Sequence, residues 1–236
     1  MIAFFDIILY PRDCRVKNIK KLISLLLLYY FSEEMKFPKF ICIIDFEATC
    51  DNKTERKHEI IEFPAVLLKF QEGKGGYKKI SEIQFYCKPK EDATISRFCF
   101  ELTGISQSQI NTGIPFPMAI DQHIKWLNSY AGSKQKVICL TCGDWDLKWM
   151  MKEECDRWEI TKPDVYNKYI NIKAEFQRFY NLPKKIDMVE MLNEINLDLI
   201  GKHHSGLDDC NNIARIWMNM IELGYEMNDE SIINLR

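Results

Sequence analysis

The sequence predicts an α/β fold in which a mixed central sheet is flanked by helices. Three observations carry that prediction. Apolar, β-branched runs at 40–46, 61–70 and 79–87 follow one another closely, the last two separated by the glycine-rich Gln71-Glu72-Gly73-Lys74-Gly75-Gly76-Tyr77, and so form an antiparallel meander. A fourth such run, 136–141, breaks at Gly143 and opens a helix. Strands first, then strand–helix alternation, give a mixed sheet with helices on both faces.

The first strand ends in Ile43-Ile44-Asp45-Phe46-Glu47. Side chains alternate along a strand, so Asp45 and Glu47 share one face while Phe46 turns to the other. Two like charges so close need a counter-ion, and a divalent cation supplies one. The same residues also fit a plain polar strand end entering a loop. Helices are expected at 96–102, ending before Gly104, and at 117–130, where Ile120, Ile124 and Leu127 recur at helical spacing. The helix from Asp144 carries Leu147, Met150 and Met151, and Trp145 and Trp149, four apart, read as core rather than as a base-stacking platform. Helices near 171–180, 185–195 and 207–222 complete the pattern. No internal repeat interrupts it.

With 236 residues, 47% of them hydrophobic, the chain can bury one good core. The expected organisation is an N-terminal extension of unknown role at 1–37, one domain at 38–226 and a C-terminal tail at 227–236. In the extension, Leu22 to Phe31 is too short to span a bilayer, so no stable membrane span is expected. A helix packed on the domain, a membrane-associated tether, and sequence upstream of a natural start at Met35 all stay open. A net charge of −2 excludes a global basic field, so a nucleic-acid partner must be gripped locally; Lys148, Lys152, Lys184, Lys185 and Lys202 are available to steer a phosphate backbone. Nine cysteines, an odd number with several in strand-like runs, suit reduced thiols in cytoplasm or nucleus. Cys139 and Cys142 have zinc-knuckle spacing, but no second Cys or His pair follows them at matching spacing.

Two further acidic segments lie where chemistry is placed in such folds. Gly143-Asp144-Trp145-Asp146 follows the fourth strand, at the carboxyl end where open α/β sheets bind ligands. Asp144 reads as the helix N-cap, which leaves the Asp146 carboxylate free. His204-Ser205-Gly206-Leu207-Asp208-Asp209 precedes the helix with Ile213, Ile216, Trp217 and Met220. There Gly206 reads as a turn before the helix, Asp208 as its cap and Asp209 as a first-turn carboxylate held ionised by the helix's positive end. His204, in a mobile loop, is a candidate general base near neutral pH, although His203-His204 also reads as a solvated loop pair.

Asp45-x-Glu47, then Asp146, then His204 five residues before Asp209 resembles the DEDDh three-prime exonucleases. Phe46-Glu47-Ala48-Thr49-Cys50, Leu102-Thr103-Gly104-Ile105, Asp144-Trp145-Asp146-Leu147 and His204 through Arg215 are similar to the three-prime histone-mRNA exonuclease group, also called enhanced-RNAi exonucleases. The match runs from about residue 39 to 222. The resemblance implies an RNase H-like exonuclease fold and 3'-to-5' hydrolysis of RNA to nucleoside 5'-monophosphates. It also implies two Mg²⁺ ions, with Mn²⁺ able to substitute, held by Asp45, Glu47, Asp146 and Asp209, and His204 as the base that deprotonates water. Phe46, Ala48, Thr49, Leu102 and Thr103 would line the terminal nucleotide. The implied partner is a single-stranded or short-overhang RNA 3' end, acted on by a monomer. A DNA or nonselective 3' exonuclease is the alternative, because the carboxylates hold metals rather than the sugar; an inactive binding module is the further one. Thirty-seven leading residues are too few for the extra RNA-binding module that some relatives carry, so selection of a structured RNA is not implied.

Overall fold

The computed structural model describes residues 37–51, 58–71, 75–132 and 137–235. The chain divides into Met1–Phe37 and Pro38–Arg236, and the second unit holds the sheet. The readings made of Leu22 to Phe31 and of Met35 fall outside the described residues.

Eight strands form one mixed sheet: β1 (Phe40–Ile44), β2 (Glu47–Ala48), β3 (Ile60–Gln71), β4 (Gly76–Lys88), β5 (Ile114–Pro115), β6 (Val137–Thr141), β7 (Lys168–Asn171) and β8 (Ile233–Asn234). Their order is β5-β4-β3-β1-β6-β7-β8, with β2 on β3. β1 is central, antiparallel to β3 and parallel to β6. Among the described residues seven α-helices accompany the sheet: α1 (Arg97–Thr103), α2 (Gln107–Asn111), α3 (Phe116–Ala131), α4 (Met151–Arg157), α5 (Ile172–Phe179), α6 (Met188–Glu194) and α7 (Gly206–Glu222).

All five β1 side chains are buried because both faces are covered. Phe40, Cys42 and Ile44 join Ala119, Ile120 and Leu127 of α3 and Met151 and Cys155 of α4 in one core cluster. Ile41 and Ile43 point the other way and are equally buried, and α7 packs along β1, β3 and β4 with Ile213, Ile216 and Trp217 inside. Burying this much apolar surface at about 25 cal/mol per Å² makes the two layers the main source of stability.

The ladder between β1 and β3 ends at Ile44 opposite Ala65, and resumes where Glu47 of β2 faces Glu62. The break at Asp45-Phe46 falls opposite Phe63-Pro64. A proline has no N–H to give and is tolerated in an inner strand where pairing is interrupted. This break opens the site.

Several elements differ from the sequence prediction. α2 lies in a stretch for which the sequence pattern predicts no element; Ser106 and Gln109 build a reciprocal capping box there. Residues 227–236, read as a tail, supply β8, which pairs antiparallel with β7. The helix after Gly143 begins as a π-turn over Trp145–Met150 before α4. Trp145 and Trp149 are not core: they are 42% and 55% exposed, because Leu147, Met150 and Met151 take the inward face. Cys139 lies in the core and donates to the Val165 carbonyl. Among the described residues no helix is long and apolar enough to cross a membrane.

Candidate active site

Four elements deliver four carboxylates to the strand break. Asp45 follows the last residue of β1 and Glu47 opens β2. Asp146 stands in the π-turn, and its Oδ1 accepts the backbone N–H of Phe46 at 2.9 Å, so the helix carboxylate is tied to the backbone between Asp45 and Glu47. Asp209, near the start of α7, offers an oxygen that lies with those of Asp45 and Glu47 inside a 4.8 Å radius of one another. Glu47, Asp146 and Asp209 are buried and Asp45 is partly exposed.

Crowding and burial move all four the same way. Burial, followed by the Asp146, Asp209 and Glu47 charges, pushes Asp45 well above the usual carboxylate range. Burial, then Glu62 and Asp209, raises Glu47 to about 9. Asp146 rises to about 6 through burial, restrained by the Phe46 N–H bond and the Lys173 charge. Asp209 is raised by burial against the pull of His204 N–H and His203. A cluster of oxygen donors that destabilise one another's ionised forms fits a hard divalent cation, whose charge would reverse each shift.

His204 adopts φ +65°, a left-handed conformation that few non-glycine residues take. Its N–H donates to Asp209 Oδ2 at 2.9 Å, and Ser205 N–H closes a turn onto the Lys202 carbonyl at 3.1 Å. The backbone is therefore pinned rather than mobile as the sequence suggested. Burial, then the neighbouring His203 and Lys202 charges, lowers the His204 pKa, favouring the neutral imidazole that can accept a proton.

Two cap assignments are corrected. Asp144 makes no cap bond; its Oδ1 accepts from Tyr169 OH and Asn171 Nδ2, each at 2.8 Å. Tyr169 and Asn171 on the adjacent β7 outcompete the local N–H groups. Asp208 does not cap α7 either. The helix starts two residues before it, and Asp208 Oδ2 accepts the Lys202 N–H at 2.9 Å. The cap comes from Glu62 on β3, whose carboxylate accepts the N–H groups of Gly206 and Leu207 at 3.2 and 3.3 Å. Gly206 serves close approach rather than a turn: a Cβ there would lie 2.6 Å from the Asp45 carbonyl oxygen.

The five residues implied to line a substrate are placed unequally. Leu102 is half-buried at the end of α1. The Phe46 ring packs edge-on against Phe63 at 4.8 Å, Ala48 is buried, and Thr49 Oγ1 accepts the Glu59 N–H. Thr103 Oγ1 donates to the Cys99 carbonyl and accepts from Ile105 N–H. Of the steering lysines, Lys202 Nζ reaches the Glu101 carbonyl at 3.4 Å and its charge lowers the Glu47 pKa, while Lys152 pairs with Asp156. Glu62 and Lys173 escaped the sequence reading. For Glu62 a signal existed, since a carboxylate inside the apolar run Ile60-Ile61-Glu62-Phe63 is 1% exposed and buried charges need a partner.

A family model described as exonuclease matches residues 42–217, which include all four carboxylates and His204. The chain belongs to the exonuclease family. Among relatives of this exonuclease domain, 3'-5' exoribonuclease 1 of Rattus norvegicus is 38% identical over 80% of the chain and 54% of its own length. The chain thus spans about half the length of that curated relative. The solved nuclease domain of 3'hExo, a DEDDh family member bound to rAMP, superposes with a TM-score of 0.74 at 36% identity, covering 81% of this chain and 96% of that one. A 3'-exonuclease solved in recognition of the histone mRNA stem-loop gives a TM-score of 0.75 at 33% identity, over 85% and 92%. The exonuclease domain therefore has the RNase H-like DEDDh fold.

Proposed function

We propose that this exonuclease is a divalent-metal-dependent 3'-to-5' exoribonuclease that removes nucleoside 5'-monophosphates one at a time. The observation that carries the reading is the convergence of Asp45, Glu47, Asp146 and Asp209 on one strand break, with Asp209 gripping the His204 backbone. Asp45, Glu47, Asp146 and Asp209 hold the ions, and the oxygen-only donor set favours Mg²⁺, with Mn²⁺ as substitute. When bound, a pair of such ions activates water and stabilises charge on the leaving oxygen. The neutral imidazole of His204 accepts the proton of the attacking water. Asp146 keeps Phe46, and with it both strand carboxylates, in register.

RNA is favoured over DNA as substrate by the similarity to exoribonuclease 1 and to a domain that binds rAMP. Leu102, half-exposed at the end of α1, is the side chain offered to the terminal base, with Phe46, Ala48, Thr49 and Thr103 shaping the wall behind it. All five reactive residues come from one chain, so a monomer suffices. The nuclease is assigned to 38–235, because β8 at Ile233–Asn234 pairs with β7 of its sheet, and the cysteine thiols among the described residues suit a reducing compartment, cytoplasm or nucleus.

The test is a time course on 5'-labelled single-stranded RNA with Mg²⁺ or EDTA, using wild type and Asp45→Ala, beside a matched oligonucleotide with deoxyribose at the last two positions. A ladder shortening from the 3' end, dependent on metal and on Asp45 and slower on the deoxyribose end, is expected. Intact RNA in the presence of Mg²⁺ would overturn the reading.

A further inference from the structure

His203 has no part in the hydrolysis proposed above, yet it faces the same carboxylate. Its Nδ1 lies 3.1 Å from Asp209 Oδ2 and 3.3 Å from Oδ1. The ring stacks on His204 at a centroid separation of 3.9 Å and an angle of 22°. One ring nitrogen from each histidine and one Asp209 oxygen all fall within 4.8 Å of one another. The His203 side chain is 38% exposed, so a hydrated ion can reach it, whereas Asp209 is 3% exposed and fixed by the His204 N–H.

We propose that His203, His204 and Asp209 form a second metal site, selective for a borderline-soft transition ion of the Zn²⁺ class. Two imidazoles and one carboxylate, with a fourth position left to water, make a donor set that zinc takes readily and Mg²⁺ does not. Two donors each about 2.0–2.1 Å from a tetrahedral ion stand about 3.3 Å apart. His203 Nδ1 and the Asp209 oxygens already have that separation. His204 completes the set by rotating its ring, because its backbone is pinned while its side chain is half-exposed.

The site shares Asp209 and His204 with the hydrolytic set, so the two occupancies exclude each other. An ion held by the histidines withdraws the base and one of the four carboxylates together. Zinc then acts as an antagonist of Mg²⁺-supported turnover rather than as a substitute for it. This consequence rests on the function proposed above; the binding site itself does not.

Binding is measured first, by equilibrium dialysis of Zn²⁺ and by the visible absorption of Co²⁺, on the full chain in excess Mg²⁺. Wild type, His203→Asn and His203→Cys are compared, the last keeping a zinc donor at the position. His203→Asn is expected to weaken Zn²⁺ binding by about tenfold or more, His203→Cys to retain it, and the Co²⁺ bands to change between them. Equal Zn²⁺ affinity in wild type and a folded His203→Asn overturns the site, as does failure of His203→Cys to bind more tightly than His203→Asn. In the activity arm, the Zn²⁺ concentration that halves each variant's own Mg²⁺-supported rate should rise about tenfold in His203→Asn. Equal inhibition of both would place zinc on the four carboxylates and overturn the antagonism. If Zn²⁺ binds as expected while wild type cleaves no RNA, the hydrolytic reading fails and the metal site stands.

Discussion

Glu62 on β3 caps, from across the sheet, the helix that begins at Gly206: its carboxylate accepts the Gly206 N–H at 3.2 Å. Leu207 N–H and Gln84 Nε2 donate to the other oxygen, at 3.3 and 2.7 Å. Glu62 also stands directly opposite Glu47 in the β2–β3 pairing. One buried side chain therefore sets the distance between the strand that carries Glu47 and the helix that carries Asp209. The helix's positive end offsets the cost of keeping a fifth carboxylate in that crowd.

Replacing Glu62 separates these duties. Glu62→Ala should lower stability by about 2 kcal/mol, since it removes a cap and strands two N–H groups. It should also weaken Mg²⁺ binding, because Asp209 loses its register with Glu47. Glu62→Gln keeps a carbonyl acceptor and should recover most of the stability. Denaturant unfolding and Mg²⁺ titration of both variants check this; Mg²⁺ affinity in Glu62→Ala equal to wild type would remove the positioning role.

Gly206→Ala is expected to be far more damaging than an ordinary helix substitution. The new Cβ would meet the Asp45 carbonyl oxygen at 2.6 Å and Pro64 Cγ at 2.8 Å, so α7 must back away from the strand break. Alanine normally gains about 1 kcal/mol over glycine within a helix. Here a thermal midpoint at or above wild type, with full activity, would show that the approach is not tight.

Metal-free protein should lose stability as pH rises. Glu47 titrates near 4.5 when unfolded and at about 9 when folded, and Asp146 moves from 3.8 to about 6. A raised folded pKa gives stability that is complete below the unfolded value and disappears as pH climbs through the folded one. Between pH 4.5 and about 9 the folded state holds more protons, and stability falls by up to about 1.4 kcal/mol per pH unit for each excess proton. Melting in EDTA across that window should show the decline, and Mg²⁺ should flatten it. A midpoint in EDTA that rises with pH would contradict the crowded-carboxylate account.

The carboxylates that meet at the strand break are legible because Asp45, Glu47, Asp146 and Asp209 sit at element ends that strand alternation and helix starts mark out. What joins those ends is not. Glu62 reaches Gly206 across 144 positions, and Asp144 is claimed by Tyr169 and Asn171, 25 and 27 residues on, so local offsets named the wrong caps. The exposed faces of Trp145 and Trp149 follow from a π-turn, whose period a 3.6-residue pattern cannot anticipate. Ile232 and Ile233 are too short a run to announce β8 without β7 beside them, so the sequence alone predicts a tail there.

The pair Asp144→Asn and Asp146→Asn puts the corrected assignment to its sharpest use. Both changes remove one charge and keep a carbonyl oxygen. At 144 that oxygen can still accept from Tyr169 and Asn171, so the fold and most of the activity should survive. At 146 it can still accept the Phe46 N–H, so the strand break should hold its shape. On the function proposed above, a charge that binds an ion is gone, however, and the rate should fall by about two orders of magnitude or more. The two variants should thus melt within about 1 kcal/mol of each other while differing widely in turnover and in Mg²⁺ affinity. Comparable loss of activity in both would place Asp144 in the metal-binding set.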